Sequence, residues 1–419
     1  MSRIAVIGSG ISGMAAAYLL SRRHEVWLFE KDSRLGGHTH THRIETGSGS
    51  LARGTVSIDT GFIVHNDRTY PNFVRLLAEL GVERQPSSMS FGVSSAKRDF
   101  EYSSRGLNGL FAVRTNFLRP SHYRFLREIL RFNREAAAFL RDPANADVTL
   151  GEYLRAKSFS SDFANYYLYP MASAVWSTSI DEIEQFPAFT LIRFFDNHGF
   201  LGYLGQPTWY TIKGGSHSYI PGLTKRYKDR IRVAIQISRL RRTEDGVDLL
   251  INGECERFDE VVFACHAPQA LALLGDATTA EEDILRTFQT SANQAALHTD
   301  SRLLPRRPAA RASWNYLLDA GGRNATLTYH MNRLQNLAGP EDYCVTLNAT
   351  ATIEPGKILR QIEYDHPLYN LAAIRAQGRW AEISGRNRTH YCGAYWFYGF
   401  HEDGLNSAIR VAHTLGVEW

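Results

Sequence analysis

Cysteine is scarce in this chain. Four occur in 419 residues, Cys255, Cys265, Cys344 and Cys392, far apart and with no C-x-x-C pair. That spacing excludes a disulfide scaffold and a zinc ribbon, and it fits reduced thiols buried by packing in a cytosolic protein. No apolar run approaches the roughly 20 residues that span a bilayer. Low-complexity stretches and internal repeats are missing too. So is an excess of one charge: 47 Lys and Arg against 43 Asp and Glu leave a net +4, too little to draw a nucleic acid. Gly215-Ser216-His217 lacks the G-x-S-x-G frame of a nucleophile elbow, and no Ser-His-Asp arrangement stands out. The first strand-like run begins at Ile4, so no secretory signal is expected before it, and the expected location is the cytoplasm. The 44% hydrophobic and 21% charged composition is that of an ordinary globular protein. At this length two domains are expected.

The informative stretch is Ile4 to Glu30. An apolar, β-branched run, Ile4 to Ile7, reads as a buried parallel strand. It enters Gly8-x-Gly10-x-x-Gly13, then a small-residue helix over Ser12 to Ser21 and a second strand, Glu25 to Phe29, ending on Glu30. Gly8 permits the tight turn, Gly10 lets backbone approach a pyrophosphate, and Gly13 lets helix lie close on strand. Glu30 falls where a carboxylate accepts ribose hydroxyls and repels a 2′-phosphate. The unit predicts a dinucleotide site. Residues beyond Glu30 separate FAD from NAD. Glu30-x-x-x-Arg34-x-Gly36-Gly37 offers a second glycine turn whose amides reach phosphate. Asp59-Thr60-Gly61-Phe62 places a glycine just after a short strand. Near the other end, Tyr391 to Leu405 reads as strand, glycine-bounded turn and a helix running to Leu415, with free N–H groups at its start. Both ends of the chain then converge on one cofactor.

These motifs resemble those of the flavin-containing amine oxidase, protoporphyrinogen oxidase and phytoene desaturase superfamily, whose members bind FAD on a two-domain fold. The resemblance extends to Ile231–Leu240, similar to the family strand whose backbone, here at Ile237, brackets the adenine, and to Asp259–Pro268. It implies an α/β fold: a Rossmann-type FAD-binding domain (GR2-like) over 1–80, 205–285 and 385–419, and an interleaved α+β substrate domain over 81–204 and 286–384. The FAD contacts it implies are Gly8, Ser9, Gly10, Ile11, Ser12, Gly13, Glu30 and Lys31, then Arg34, Leu35, Gly36, Gly37 and His38. Thr60, Gly61, Phe62, Ile63 and Ile237 come next, with Gly399, Phe400, Glu402, Asp403, Gly404 and Leu405 near the C-terminus. Lys213-Gly214-Gly215-Ser216 looks like the family's second, structural Gly-Gly turn.

Many amine oxidases begin the strand that reaches the flavin with a Lys. The segment aligned here, Ala292 to Asp300, has none, which favours a desaturase or isomerase over amine oxidation. A narrower resemblance, carried by Leu297–Asp300, Ala312–Tyr316, Thr328–Gln335 and His366–Tyr369, is to a bacterial branch of FAD-dependent oxidoreductases. Members of that branch are often encoded beside cyclopropane-fatty-acyl-phospholipid synthase-like methyltransferases. It implies an acyl-chain substrate, free or esterified in phospholipid, and a methyltransferase partner. The expected reaction is hydride removal from an unsaturated fatty-acyl chain. The alternatives are double-bond isomerisation, amine or polyene oxidation, and a catalytically silent flavin- and lipid-binding protein.

The rest is read residue by residue. Phe62, His65, Tyr395, Trp396 and Phe400 are expected beside the ring, with His65 or Tyr395 as proton acceptor. His38, His40 and His42 alternate, so a strand would put them on one face, and flavin lining is favoured over metal. Tyr166–Met171 and Ala174–Trp176 supply aromatic and aliphatic lining and no carboxylate pair or cationic clamp. Between Arg105 and Arg141 lie eight Arg and two acids, Glu128 and Glu135. Leu126, Ile129, Leu130, Ala137 and Leu140 recur at helical spacing, Ser121 is a candidate N-cap and Pro143 marks the stop. This helix reads either as a solvated basic face or as a peripheral contact with an anionic membrane.

Overall fold

The computed structural model describes residues 1–46, 54–95, 97–176, 180–197, 199–202, 206–319 and 325–419, with backbone alone at 174–176, 180 and 181. The expected lining side chains of Ala174, Val175 and Trp176 therefore lie outside the described residues.

The first 30 residues build a β-α-β unit: strands Arg3–Ile7 and Glu25–Phe29 run parallel around helix Ile11–Leu20. Every residue of that helix is buried, which only its Ala- and Gly-rich sequence permits. Strand Glu260–Phe263 pairs on the other side of Arg3–Ile7, Thr389–Tyr391 closes that edge, and Ile231–Arg232 closes the opposite one. All five strands are parallel, so both faces need covering. Helices Ile11–Leu20 and His401–Thr414 pack along each other, and Gly404 permits it: a Cβ there would fall 2.7 Å from Ile11 Cγ2.

The segment Ile231–Leu240, expected as one strand, is two. Ile231–Arg232 belongs to the parallel sheet, Ala234 takes φ +55, and Ile237–Thr243 starts a separate antiparallel sheet with Gly246–Ile251 and Glu254–Phe258. The amides of Ala234 and Ile235 bond Asp32 and Glu30 carbonyls, and those bonds pull the chain out of the strand.

The second sheet has seven strands in the order Ile358–Leu368, Gln289–His298, Cys344–Leu347, Ala325–His330, Trp314–Leu318, Phe91–Ser95 and Phe100–Ser103. Its last two strands come from the 81–204 segment of the substrate domain. That segment otherwise supplies helices, among them Pro120–Phe139 and Ala188–Asn197. Helix Pro120–Phe139 begins two residues earlier than the Ser121 cap predicted, with Pro120 in the first turn and Arg119 as the cap. Its buried face is Phe125, Ile129, Phe132, Ala136 and Phe139, and Leu130 is 54% exposed. Bulky aromatics took the core stripe from the leucines because they bury more area.

Candidate functional site

A cavity of about 770 Å³ opens at the carboxyl ends of the parallel strands and extends under the seven-stranded sheet. Crevices at that end of a parallel sheet are where α/β folds hold ligands. The glycine loop forms one wall. Gly8 has φ +104, and a Cβ there would lie 2.9 Å from the Ala264 backbone. At Gly13 a Cβ would sit 1.8 Å from the Gly8 carbonyl oxygen, so helix and strand could not keep this distance. Nothing lies within 4 Å of the Cβ position of Gly10, which lines the cavity. The helix that starts there has no side-chain cap and no acid in its first turn. Its N–H groups therefore face the cavity free to hold an anion.

Glu30 is buried against this loop. Its carboxylate accepts from the Ser9 amide at 2.8 Å, the Ser9 hydroxyl at 2.6 Å and the Asp32 amide at 3.0 Å. The second glycine turn is tied to the first: the Gly36 amide donates to the Ser9 carbonyl at 3.0 Å, and Arg34 donates to the Gly37 carbonyl at 2.8 Å. An uncapped helix start, an open Gly10 face and a buried carboxylate together fit a pyrophosphate-linked dinucleotide.

Most of the residues singled out from the sequence line this cavity: Gly8 to Ser12, Glu30, Lys31, Arg34, Gly36 to His38, Thr60 to Ile63, Ile237, Tyr395, Gly399 and Phe400. Others stand behind the wall. Gly13 lies at the helix–strand contact, Leu35 and Leu405 pack into the core, and Gly404 is the helix crossing. Glu402 accepts from the Asn72 and Phe73 amides at 3.0 and 2.8 Å, which anchors helix Pro71–Glu79. Asp403 accepts from the Phe400 amide at 2.9 Å, and burial pushes its carboxyl up to about 7. These positions shape the site without touching its space.

His65 is not at the cavity surface. It is fully buried behind Phe62, with Phe73 and Tyr210 around it and, among the described residues, no hydrogen-bond partner for either ring nitrogen. Desolvation holds it neutral, down to about 4. Its two-residue strand pairs with Trp209–Ile212, which turns the ring inward. Tyr395 does line the cavity, but burial raises its phenol far above the ordinary value. It stays protonated at neutral pH, which removes it as a proton acceptor. Trp396 is core, packed on Phe288.

The histidine trio also divides. The strand starts only at Thr41, so His38 precedes it and turns to the cavity, while His40 and His42 bond Tyr364 and Thr60 at 3.1 Å each. Strand Gln289–His298, aligned from sequence with the strand that reaches the flavin, contributes no lining residue among those described. Its neighbour Ile358–Leu368 does, through Glu363, Tyr364, Asp365, His366 and Pro367. Tyr364 stacks on His38 at 4.9 Å and bonds Thr60 at 2.8 Å. His266, from the turn after Glu260–Phe263, joins them. The imidazoles of His38, His266 and His366 are all held neutral by burial, His366 down to about 4.

Away from the glycine loops the lining is aromatic. Phe194 stacks on Phe400 at 4.9 Å, and Phe200 lies 6.2 Å from Phe194 and 6.4 Å from Trp209. Tyr398, Tyr369, Tyr70, Met89, Val64 and Leu347 complete this part. Phe400 apart, sequence reasoning missed these residues. Helical spacing of Phe194 beside Leu191 was the available signal, but it marks core and cavity alike.

Residues 11–354 match the family model described as flavin containing amine oxidoreductase. No curated protein matches the chain. Among solved structures, putrescine oxidase aligns with a TM-score of 0.73 at 13% identity over 99% of each chain. Cyclohexylamine oxidase from Brevibacterium oxydans gives 0.68 at 16% identity, again over 99% of each chain. A fatty acid isomerase from P. acnes that produces CLA gives 0.67 at 14% identity over 98% of each. At these identities the likeness is one of fold.

Proposed function

Because the chain belongs to the flavin containing amine oxidoreductase family and is an FAD-dependent oxidoreductase, we propose that it removes hydride from an apolar substrate, an unsaturated fatty-acyl chain. When bound, FAD supplies the two-electron acceptor; the protein's contribution is binding, orientation and exclusion of water. Gly10 and the uncapped helix start would hold the pyrophosphate, and Glu30 a ribose.

The observation that carries this reading is the aromatic wall of Phe194, Phe200, Trp209 and Phe400. It offers apolar contact, and the lining carboxylates stand on other segments, Glu363 and Asp365 on strand Ile358–Leu368 and Glu30 and Asp32 at the glycine end. Lys31 is the sole lysine among the described lining residues, and it sits beside Glu30 at the glycine end. An allylic C–H is the reactive position of such a chain. Loss of hydride there and of a proton from the adjacent carbon gives a diene. Proton acceptors are at hand in the neutral imidazoles of His38 and His366, whose Nε2 and Nδ1 have no partner among the described residues.

Return of the hydride to another carbon would make the same site an isomerase, and the likeness in fold to a fatty acid isomerase keeps that second reading in the test. Anaerobic mixing of the flavin-loaded protein with a monounsaturated fatty acid, free or in phospholipid, is expected to bleach the flavin and yield a diene. A displaced double bond without lasting bleaching marks isomerisation. Bleaching by apolar amines but by no lipid overturns the proposal.

A further inference from the structure

Eight large apolar side chains face solvent among the described residues, and five of them fall between residues 107 and 130: Leu107, Phe117, Leu118, Tyr123 and Leu130. Leu118 is 88% and Leu107 73% exposed. Single exposed leucines are ordinary, whereas a cluster marks an interaction surface. The cluster is a built one. Phe117 stacks on the buried Phe111 at 4.1 Å, Tyr123 lies 5.8 Å from Phe111, and the Tyr123 hydroxyl donates to the Phe117 carbonyl at 3.0 Å. A short turn, Arg114–Leu118, thus holds Leu118 outward at the foot of helix Pro120–Phe139.

The surroundings are cationic. On the helix, Tyr123, Arg127, Leu130 and Arg134 follow at four, three and four residues, so they share one outer face. Arg119 and Arg124 flank it and are exposed. The two acids of the segment are already engaged: Glu128 accepts from Ser160, and Glu135 pairs with Arg131 at 3.7 Å. The arginines of the outer face therefore have no acid in their own segment to meet. Apolar tips among arginines that meet no carboxylate among the described residues match the boundary of an anionic bilayer, with acyl chains below and phosphates above. The helix is polar on that face overall and no described helix is long and apolar enough to cross a membrane, so the contact is a surface one. The inner face of this helix packs on helix Ala188–Asn197, which carries Phe194 of the cavity wall.

We propose that residues 107–134 form a docking face for an anionic lipid bilayer, with Leu107, Phe117 and Leu118 dipping into it and Arg119, Arg124, Arg127 and Arg134 meeting its phosphates. The proposal stands apart from the substrate, since it needs no turnover. Its test is sedimentation of the flavin-loaded protein with phosphatidylcholine vesicles that contain or lack phosphatidylglycerol. Binding is expected to the anionic vesicles alone and to fall with added salt. With about fivefold for each arginine near the surface, R124Q/R127Q/R134Q should partition roughly 100-fold more weakly. L107S/L118S should lose binding while keeping wild-type flavin content and melting, because both side chains are exposed. Equal binding to neutral vesicles, or unchanged partition of the arginine variant, overturns the proposal. So does a solution dimer that L107S/L118S converts to monomer, which would assign the face to a second copy of the chain.

Discussion

Gly10 and Gly13 stand three residues apart in one motif, yet the structure gives them opposite jobs, and substitution by alanine should separate them. At Gly13 a Cβ would lie 1.8 Å from the Gly8 carbonyl oxygen and 3.0 Å from the Ala264 side chain. Neither partner can retreat, because the Gly8 N–H donates to the Phe29 carbonyl and the Ala264 N–H to the Ile7 carbonyl, each at 2.8 Å. Helix and strand must move apart, an overpacking that costs about 1–3 kcal/mol or more. Gly10 has φ −63 and open space at its Cβ, so alanine there should leave the flavin-free fold within about 0.5 kcal/mol of wild type. The added methyl stands instead in the space a pyrophosphate would use. If the same overpacking falls on the cofactor, FAD affinity drops about 5- to 150-fold. The assay is thermal melting of flavin-free protein with and without FAD. Gly13→Ala lowers the melting temperature in both conditions. Gly10→Ala melts like wild type without FAD and loses between about a third and nine-tenths of the rise that FAD confers, since a ligand at 100 times its Kd adds about 2.7 kcal/mol and a 5- to 150-fold weaker one about 1.8 to 0.3 kcal/mol. Wild-type FAD affinity in Gly10→Ala, or equal destabilisation of both flavin-free variants, would refute the reasoning.

Other outcomes rest on particular contacts. Arg242 is buried between Glu281 at 2.9 Å and Asp276 at 3.1 Å, and Glu281 also accepts from the Tyr391 hydroxyl at 2.7 Å, so Glu281→Gln removes one of the two carboxylates facing the guanidinium and should cost about 1–3 kcal/mol in urea unfolding. Burial holds eleven of the described histidines below their ordinary value, and seven of them, His38, His40, His42, His65, His298, His366 and His401, are lowered most. Each takes up a proton on unfolding between about pH 4 and 6.5, so each lowers stability as pH falls through that window. Three buried acids, Asp59 raised to about 6, Asp403 to about 7 and Glu402 also raised, work the other way, and three acids do not offset seven imidazoles. Melting of the flavin-free protein should therefore fall steeply between about pH 6.5 and 5; a flat profile there contradicts the burial argument. Phe194→Ala should weaken binding of a long-chain fatty acid about 10- to 100-fold, from the loss of one buried aromatic, and leave FAD affinity unchanged, as read by flavin spectral titration.

What the chain declares unaided is the part written in local rules. A β-branched run, three glycines at fixed spacing and an acid after the second strand specify the β-α-β unit whatever surrounds them, and the structure places strand, helix and Glu30 there. The glycine-bounded turn and the helix from His401 were legible for the same reason, as contiguous segments with their own capping chemistry, whereas the strand expected to begin at Tyr391 ends there. Their meeting with Ile11–Leu20 rests on Gly404, whose role is visible only once two helices cross. The aromatic wall was decided by tertiary packing, because Phe194, Trp209, Tyr364 and Phe400 come from four separate segments and nothing in their spacing tells pocket from core. His65 fails as a cavity residue for a similar reason: its pairing with Trp209–Ile212, about 140 residues away in sequence, turns the ring inward. Which face of helix Pro120–Phe139 is buried was likewise settled by its partners. Two stripes of apolar residues competed, and the one that met the sheet and helix Ala188–Asn197 won, leaving Leu130 outside.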